Sequence, residues 1–160
     1  ALDIALTEND LAEIKEELTN SGYIRRRYTK KKVKINNKPL HYISSDGFHI
    51  YVGKNNLQND QLTFHFAVGN DWWFHAKQAP GSHVIVRTNG AELPDTTFEE
   101  AARLAAYYSS MRGSDKVEID YVEKKQVKKP GGGKPGFVVY YTNYSMVIDS
   151  NISQIRLCAD

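Results

Sequence analysis

Between Asp71 and Arg87 the sequence reads Asp-Trp-Trp-Phe-His-Ala-Lys, turns at Ala79-Pro80-Gly81-Ser82, and returns as His-Val-Ile-Val-Arg. Side chains alternate between the two faces of a strand, so a period of two sorts these residues at once. Trp72, Phe74 and Ala76 form a core face, joined by Val84 and Val86 on the return. Asp71, Trp73, His75 and Lys77 point the other way, together with His83 and Arg87 beside Ile85. If the two strands pair, one surface carries an aromatic ring, two imidazoles and two cations.

The remaining elements are short and fit around that pair. Apolar alternation predicts strands at 40–45, 48–53, 72–77 and 83–87, with Asp46-Gly47 as a two-residue hairpin turn between the first two. Strands are also expected at 117–122, 137–142 and 144–149. Asn55 to Gln61 reads as a short helix or a structured loop. A helix is predicted over 98–112, capped by Thr96 or Thr97 with Glu99 or Glu100 three residues on. Phe98, Ala101, Ala102, Ala105 and Tyr108 form its inner face, and Gly113 ends it. Thr7 and Asp10 have capping-box spacing, and Leu11, Ile14 and Leu18 continue an acidic helix until Gly22. Lys128-Lys-Pro-Gly-Gly-Gly-Lys-Pro-Gly136 reads as an exposed flexible loop. The order of elements predicts one α+β domain with a mostly antiparallel sheet. Its parts are an acidic helix at 1–22, a domain at 23–150 and a C-terminal tail at 151–160.

A chain of 160 residues with 41% apolar and 25% charged residues suits one globular domain and not a disordered tail. The longest uncharged run, Pro135 to Ile148, is too short and too polar to cross a bilayer. One cysteine, Cys158, excludes a disulfide framework and a cysteine zinc site, so a reducing, cytoplasmic setting is expected. The net charge is only +2, but Arg25 to Lys38 holds eight basic residues and Lys124 to Lys134 five more, with no acid in either block. The acids sit elsewhere, six of them in residues 1–24 and eight in residues 91–123. Such segregation costs self-repulsion within each block and suits an anionic partner.

An exposed face with Trp73, His75, Lys77, His83 and Arg87 offers stacking, hydrogen bonding and phosphate attraction together, as single-stranded or looped RNA requires. Stacking a base on an aromatic side chain contributes about 1–3 kcal/mol. The five histidines lack metal-ligand spacing, so neither a metal nor another cofactor is expected. A two-histidine acid–base arrangement for RNA cleavage is chemically open, but nothing in the sequence requires it. Pro130 to Gly136 lacks the Gly-Lys-Ser/Thr ending of a P-loop, though its amides and Lys128, Lys129 and Lys134 suit loose phosphate contacts. Gly53 to Asp60 is dense in amide side chains, which serve equally to satisfy the backbone of a capped loop or to touch RNA.

The strings SSDGFHIYVGKNNLQNDQLTF, DWWFHAKQAPGSHV, FEEAARLAAYYS and VKKPGGGKPGFVVYYTNY, in this order, resemble the NFACT-R domain, the RNA-binding module of the NFACT family of ribosome quality-control factors. The resemblance runs from about Tyr23 to Ile148, and the acidic helix is similar to the end of the coiled coil that precedes this module. The family's Asp-x-Trp-x-His core falls on Asp71, Trp73 and His75, and its Pro-Gly-Ser-His turn on Pro80, Gly81, Ser82 and His83. Its Asp-Gly turn falls on Asp46 and Gly47. Its Gly-(Arg/Lys)-Asn-Asn segment falls on Gly53, Lys54, Asn55 and Asn56, with Asn59 and Asp60 following. Trp72 departs from the commoner aliphatic residue.

The resemblance implies a domain that grips tRNA or large-subunit rRNA within a factor that binds obstructed large ribosomal subunits carrying peptidyl-tRNA and supports alanine tailing of the stalled chain. The peptide bond would be made on the ribosome, so the domain is expected not to be an enzyme. The family's tRNA-discriminating N-terminal domain is not among these residues, so tailing by this segment alone is not expected. Some relatives carry the label fibronectin-binding protein, which makes an adhesin-type protein-binding module the alternative; no membrane partner is expected.

Overall fold

The Pro-Gly turn brings its two flanking stretches together in the register that the alternation predicts: Trp72 lies opposite Val86, Trp73 opposite Ile85 and Phe74 opposite Val84. In a computed structural model, which describes residues 38–158, these stretches are two strands of a seven-stranded sheet. The strands are β1 (Leu40–Ile43), β2 (His49–Val52), β3 (Trp72–Ala76), β4 (Val84–Val86), β5 (Val117–Glu123), β6 (Tyr144–Ile148) and β7 (Arg156–Leu157). Their spatial order is β6-β5-β3-β4-β2-β1-β7, and every pairing is antiparallel. Helix α1 (Asn56–Gln61) runs directly into a π-helical turn at Leu62–Phe66, and α2 (Asp95–Tyr107) lies against one face of the sheet. This is the α+β architecture expected from the sequence. The acidic helix predicted near the N-terminus, and all of the first basic block except Lys38, fall outside the described residues.

The face under α2 is the core that the alternation predicts. Ile50, Val52, Phe74, Val84, Val86, Val117 and Ile119 meet Ala101, Ala102, Leu104 and Ala105, all of them fully or almost fully buried. Alanines on that stripe bring the helix backbone close to the sheet, and tight packing there stabilises as much by dispersion contact as by apolar burial. The helix ends differ from the prediction. Pro94 occupies the N-cap position and the helix starts at Asp95, while Thr97 and Glu100 reach outside the helix. Thr97 Oγ1 donates to Asp46 Oδ2 (2.8 Å), and Glu100 accepts from the Ser45 backbone N–H (2.7 Å). These groups hold the β1–β2 loop against the start of α2. The helix also stops at Tyr107, short of the expected 112, and Gly113 with φ +96° belongs to the turn beyond it.

Two further expectations are corrected, and the C-terminal tail gains a place that the sequence left open. The hairpin loop runs from Ser44 to Phe48 and is not a two-residue turn; within it Gly47, at φ +88°, donates its N–H to the Ser44 carbonyl (2.9 Å). Residues 137–142 form no strand; only Val139 pairs, in an isolated bridge with Lys128. The stretch instead crosses the sheet, with Val138 and Tyr140 packed against the cluster of Trp73, Ile85 and Val122. The C-terminal tail, finally, joins the sheet: Arg156 and Leu157 pair with Ile43 and Tyr42 on the outer edge of β1.

Candidate nucleic-acid interface

The face predicted to lie open is covered. Trp73 is 1% exposed and Ile85 is fully buried; with Val122 they form a second core beneath Leu62, Ala67 and Val127. The cover comes from the α1–π-turn segment on one side and from residues 127–140 on the other, which add Phe64, Phe66, Val138 and Tyr140 to the layer. The period-two pattern is right and the burial assignment is not, because both faces of this sheet pack. Asp71, Trp73 and His83 are therefore interior residues and no open platform.

Asp71 is fully buried and fully occupied. Its Oδ1 accepts from the Thr88 N–H (3.0 Å), and its Oδ2 from the Val68 N–H (2.9 Å) and from Arg87 Nε (3.1 Å). Arg87 also donates to the Phe66 carbonyl (2.6 Å) and stacks 4.0 Å from the Phe66 ring centroid. The predicted phosphate-seeking cation is thus a clamp between β4 and the π-turn. Lys77 is drawn in similarly, to Asp120 at 3.3 Å, and the buried Asp120 also accepts from Tyr140 Oη (2.7 Å) and Ser145 Oγ (2.9 Å).

Of the two readings open for Gly53 to Asp60, the side chains here satisfy backbone. Asn55 caps α1 by accepting from Gln58 N (2.9 Å), Gln58 accepts from Lys54 N (2.8 Å), and Asn59 Oδ1 accepts from His83 N (3.0 Å). Gly53 is required for this junction, since a Cβ there would collide with Asn59 Oδ1. Ser82 Oγ closes it by donating to the Gly53 carbonyl (2.5 Å). Asp60 reaches the other way and fastens the glycine-rich loop, accepting from Lys129 Nζ (2.7 Å) and from the Gly136 N–H (3.0 Å). That loop, expected to be flexible, is anchored at two points. Lys129 serves the anchor, Lys128 Nζ bonds the Lys125 carbonyl (3.1 Å), and Lys134 stands exposed. Asp46 and Gly47 lie at the other end of α2, roughly 20 Å of helix away from the Gly81–Ser109 bridge, and are not part of this cluster.

Between the Pro80-Gly81 turn and the anchored loop opens a cleft of about 490 Å³. Trp73, His75, His83 and Tyr140 line its floor, and Gly136 and Phe137 bring the end of the lysine loop to its rim. His75 lies parallel to the Trp73 indole with centroids 5.7 Å apart, and His83 meets His75 edge-on at 5.5 Å. His83 Nδ1 is hydrogen-bonded to Thr63 Oγ1 (2.7 Å). Burial pushes the His83 imidazole down to about 3, with the neighbouring His75 adding to the effect and hydrogen bonds at Gly136 and Asn59 opposing it. Burial likewise lowers His75 against the pull of the Ala76 and Gly81 backbone and of Asp120. Both shifts disfavour the protonated imidazole that the two-histidine cleavage arrangement would use as its acid. Sequence reasoning missed Phe137, Tyr140 and Gln78 as cleft residues. No local pattern marks them, because they reach the cleft only through the anchoring of the loop by Asp60 and through the turn after β3.

These two imidazoles make folding pH-dependent. Both have folded values below the ordinary imidazole value of about 6.5, so below that pH the unfolded chain takes up protons that the folded chain refuses. Their contribution is complete above about pH 6.5 and is lost as pH falls toward the lower folded values. Urea midpoints measured from pH 7.5 to 4.5 should therefore fall, and proton NMR should show no titration of the His83 ring above about pH 5. A His83 ring titrating near its ordinary value would contradict this burial.

The chain is similar to known proteins in sequence and in fold. A family model described as the NFACT protein RNA binding domain matches residues 38–141. Proteins named Rqc2 homolog RqcH are 47% identical over 144 residues in Streptococcus suis and 44% identical over 142 residues in Bacillus subtilis. These alignments cover 88% and 87% of this chain but only 26% and 25% of the relatives, so the chain spans about a quarter of their length. Among solved structures, the C-terminal part of the fibronectin/fibrinogen-binding protein from Streptococcus suis superposes with a TM-score of 0.75 at 43% identity, covering 92% of this chain and 59% of that one. With Trp73, His75 and the Pro80–His83 turn gathered toward one end of the β3–β4 pair, Asp71 at its other end, and all of them inside the matched region, the chain belongs to the NFACT RNA-binding domain family.

Proposed function

We propose that this domain binds RNA within a ribosome quality-control factor. The observation that carries the reading is the junction of a basic loop with a cleft lined by aromatic and imidazole rings and side-chain amides. The Lys124–Lys134 block is folded back by Asp60, so the basic loop ends, at Gly136 and Phe137, on the rim of that cleft. The RNA proposed is tRNA or large-subunit rRNA, held on an obstructed large subunit that carries peptidyl-tRNA, in support of alanine tailing. The domain would act there by holding RNA and not as an enzyme, in the cytoplasm. Burial of Trp73 and the pairing of Arg87 with Asp71 reassign the work of attraction: the phosphate contacts fall to the exposed lysines and, from the sequence, to Arg25–Lys38.

The test is the anisotropy of labelled tRNA titrated with the 160-residue chain between 50 and 300 mM salt. Log affinity should fall linearly with log salt, and Lys128→Glu with Lys134→Glu should make the slope shallower by about one to two, one for each phosphate no longer neutralised. Absence of binding at 50 mM salt would remove the reading. A second reading, a protein-binding module, is favoured by the fibronectin/fibrinogen-binding name of the related solved structure. It predicts saturable binding of fibronectin that survives nuclease treatment, with tRNA failing to compete.

A further inference from the structure

We propose that the cleft between the Pro80-Gly81 turn and Gly136-Phe137 receives a single unpaired nucleobase of the bound RNA. This rests on the RNA-binding reading and adds to it where a base goes. The cleft, at about 490 Å³, has room for a heterocycle, and neither lysine nor arginine lines it. A wall without cations is poorly matched to a phosphate and well matched to a neutral planar ring. Phe137, at the rim, is 56% exposed and presents a ring to stack on, while Tyr140 and His75 are only partly covered.

Hydrogen-bonding capacity is present in the same place. Trp73 lines the cleft, and its Nε1–H is buried with no acceptor, alone in this among the buried side-chain polar atoms of the described residues. Buried donors are nearly always paired, so this orphan, on a residue of the cleft lining, is a donor with a hydrogen bond left to make. Asn56 and Gln78 add side-chain amides at the rim, each able to donate and accept as a base edge requires. Gln78 holds a left-handed backbone conformation, φ +52°, which a non-glycine residue adopts at a cost.

The charge missing from this cleft is supplied next door. A second cleft of about 330 Å³ shares Asn59, Pro80 and Gly81 with the first and is lined by Lys54, Ser109 and Arg112. Arg112 is held in place by its bond to the Tyr107 carbonyl (2.7 Å) and by the Tyr107 ring at 3.8 Å. A base in the first cleft thus places its phosphate beside a fixed guanidinium, a division of labour usual for proteins that hold single strands.

The test follows the Trp73 indole N–H by proton–nitrogen NMR while the 160-residue chain is titrated with the RNA tetramers rA4, rC4 and rU4 and with an abasic ribose-phosphate tetramer. The Trp72 indole is the internal reference, since that side chain packs on the α2 face. At least one base-bearing tetramer should shift the Trp73 resonance saturably, and the abasic one should not. Phe137→Ala, which alters an exposed ring and so leaves the fold intact, should weaken that tetramer about tenfold with an unchanged salt slope. An equal shift by the abasic tetramer would overturn the proposal. So would unmoved Trp73 with every tetramer while labelled tRNA still binds, an outcome that leaves the RNA-binding reading standing. If neither tRNA nor any tetramer binds, both readings fall.

Discussion

Replacing Trp73 by alanine is expected to unfold the domain more readily before it changes any binding. The indole is 1% exposed and packs among Ile85, Val122, His75, His83 and Tyr140, with Tyr140 5.0 Å away between centroids. Truncating a buried tryptophan loses its transfer free energy and leaves a cavity, together about 3–5 kcal/mol. A base stacked on an exposed aromatic would contribute about 1–3 kcal/mol, so the folding loss is the larger effect. For a domain of this size the melting temperature should fall by about 10 °C, measurable by calorimetry or circular dichroism. Trp73→Phe keeps most of the apolar volume and should lose much less. An alanine variant that melts with the wild type but no longer binds RNA would show that the ring faces solvent after all.

The second large effect is expected at Asp71. Its carboxylate is the acceptor for the Val68 and Thr88 N–H groups and for Arg87 Nε. Asp71→Ala strands two backbone donors, each costing about 1–3 kcal/mol when buried, and leaves the guanidinium with the Phe66 carbonyl as its remaining bond. Arg87 retains some solvent access, its side chain 27% exposed, which softens the loss of the ion pair itself. The sum is about 3–5 kcal/mol in urea denaturation, the range seen when one partner of a buried pair is removed. Asp71→Asn keeps an acceptor and should fall between. Arg87→Ala should cost less than Asp71→Ala, because the carboxylate keeps both backbone donors. A cost below about 1 kcal/mol for Asp71→Ala would contradict the clamp.

These two residues also show how far the chain could be read without coordinates. Alternation placed Trp72, Phe74, Val84 and Val86 on one face and Asp71, Trp73, His75, Ile85 and Arg87 on the other, and the β3–β4 register agrees. The α2 stripe was legible in the same way, since Ala101, Ala102 and Ala105 follow a helical period and all three are buried. A period of two gives direction only. It says which side chains share a face and nothing about whether that face meets water or protein. A polar-looking row such as Asp71, Trp73, His75 and Arg87 fits an open surface and an interior in which each polar group has found a partner.

The choice between them was made by segments far apart in sequence. Residues 62–67 and 127–140 cover the second face, and they are held there by pairings such as Arg87 with Phe66 and Asp60 with Lys129 and Gly136. No local pattern encodes those pairings, because each joins residues separated by many positions and depends on the sheet being assembled first. The same is true of the missing strand at 137–142, where the stretch has the composition of a strand but is drawn over the second face, with Val138 and Tyr140 packed against Trp73 and its neighbours. Sequence alone therefore determined the strand faces, the helix stripe, the basic blocks and the family motifs, all of which follow from local periodicity and residue type. The tertiary structure decided what is buried and what lines the cleft, because burial depends on which distant segments come to lie over a face.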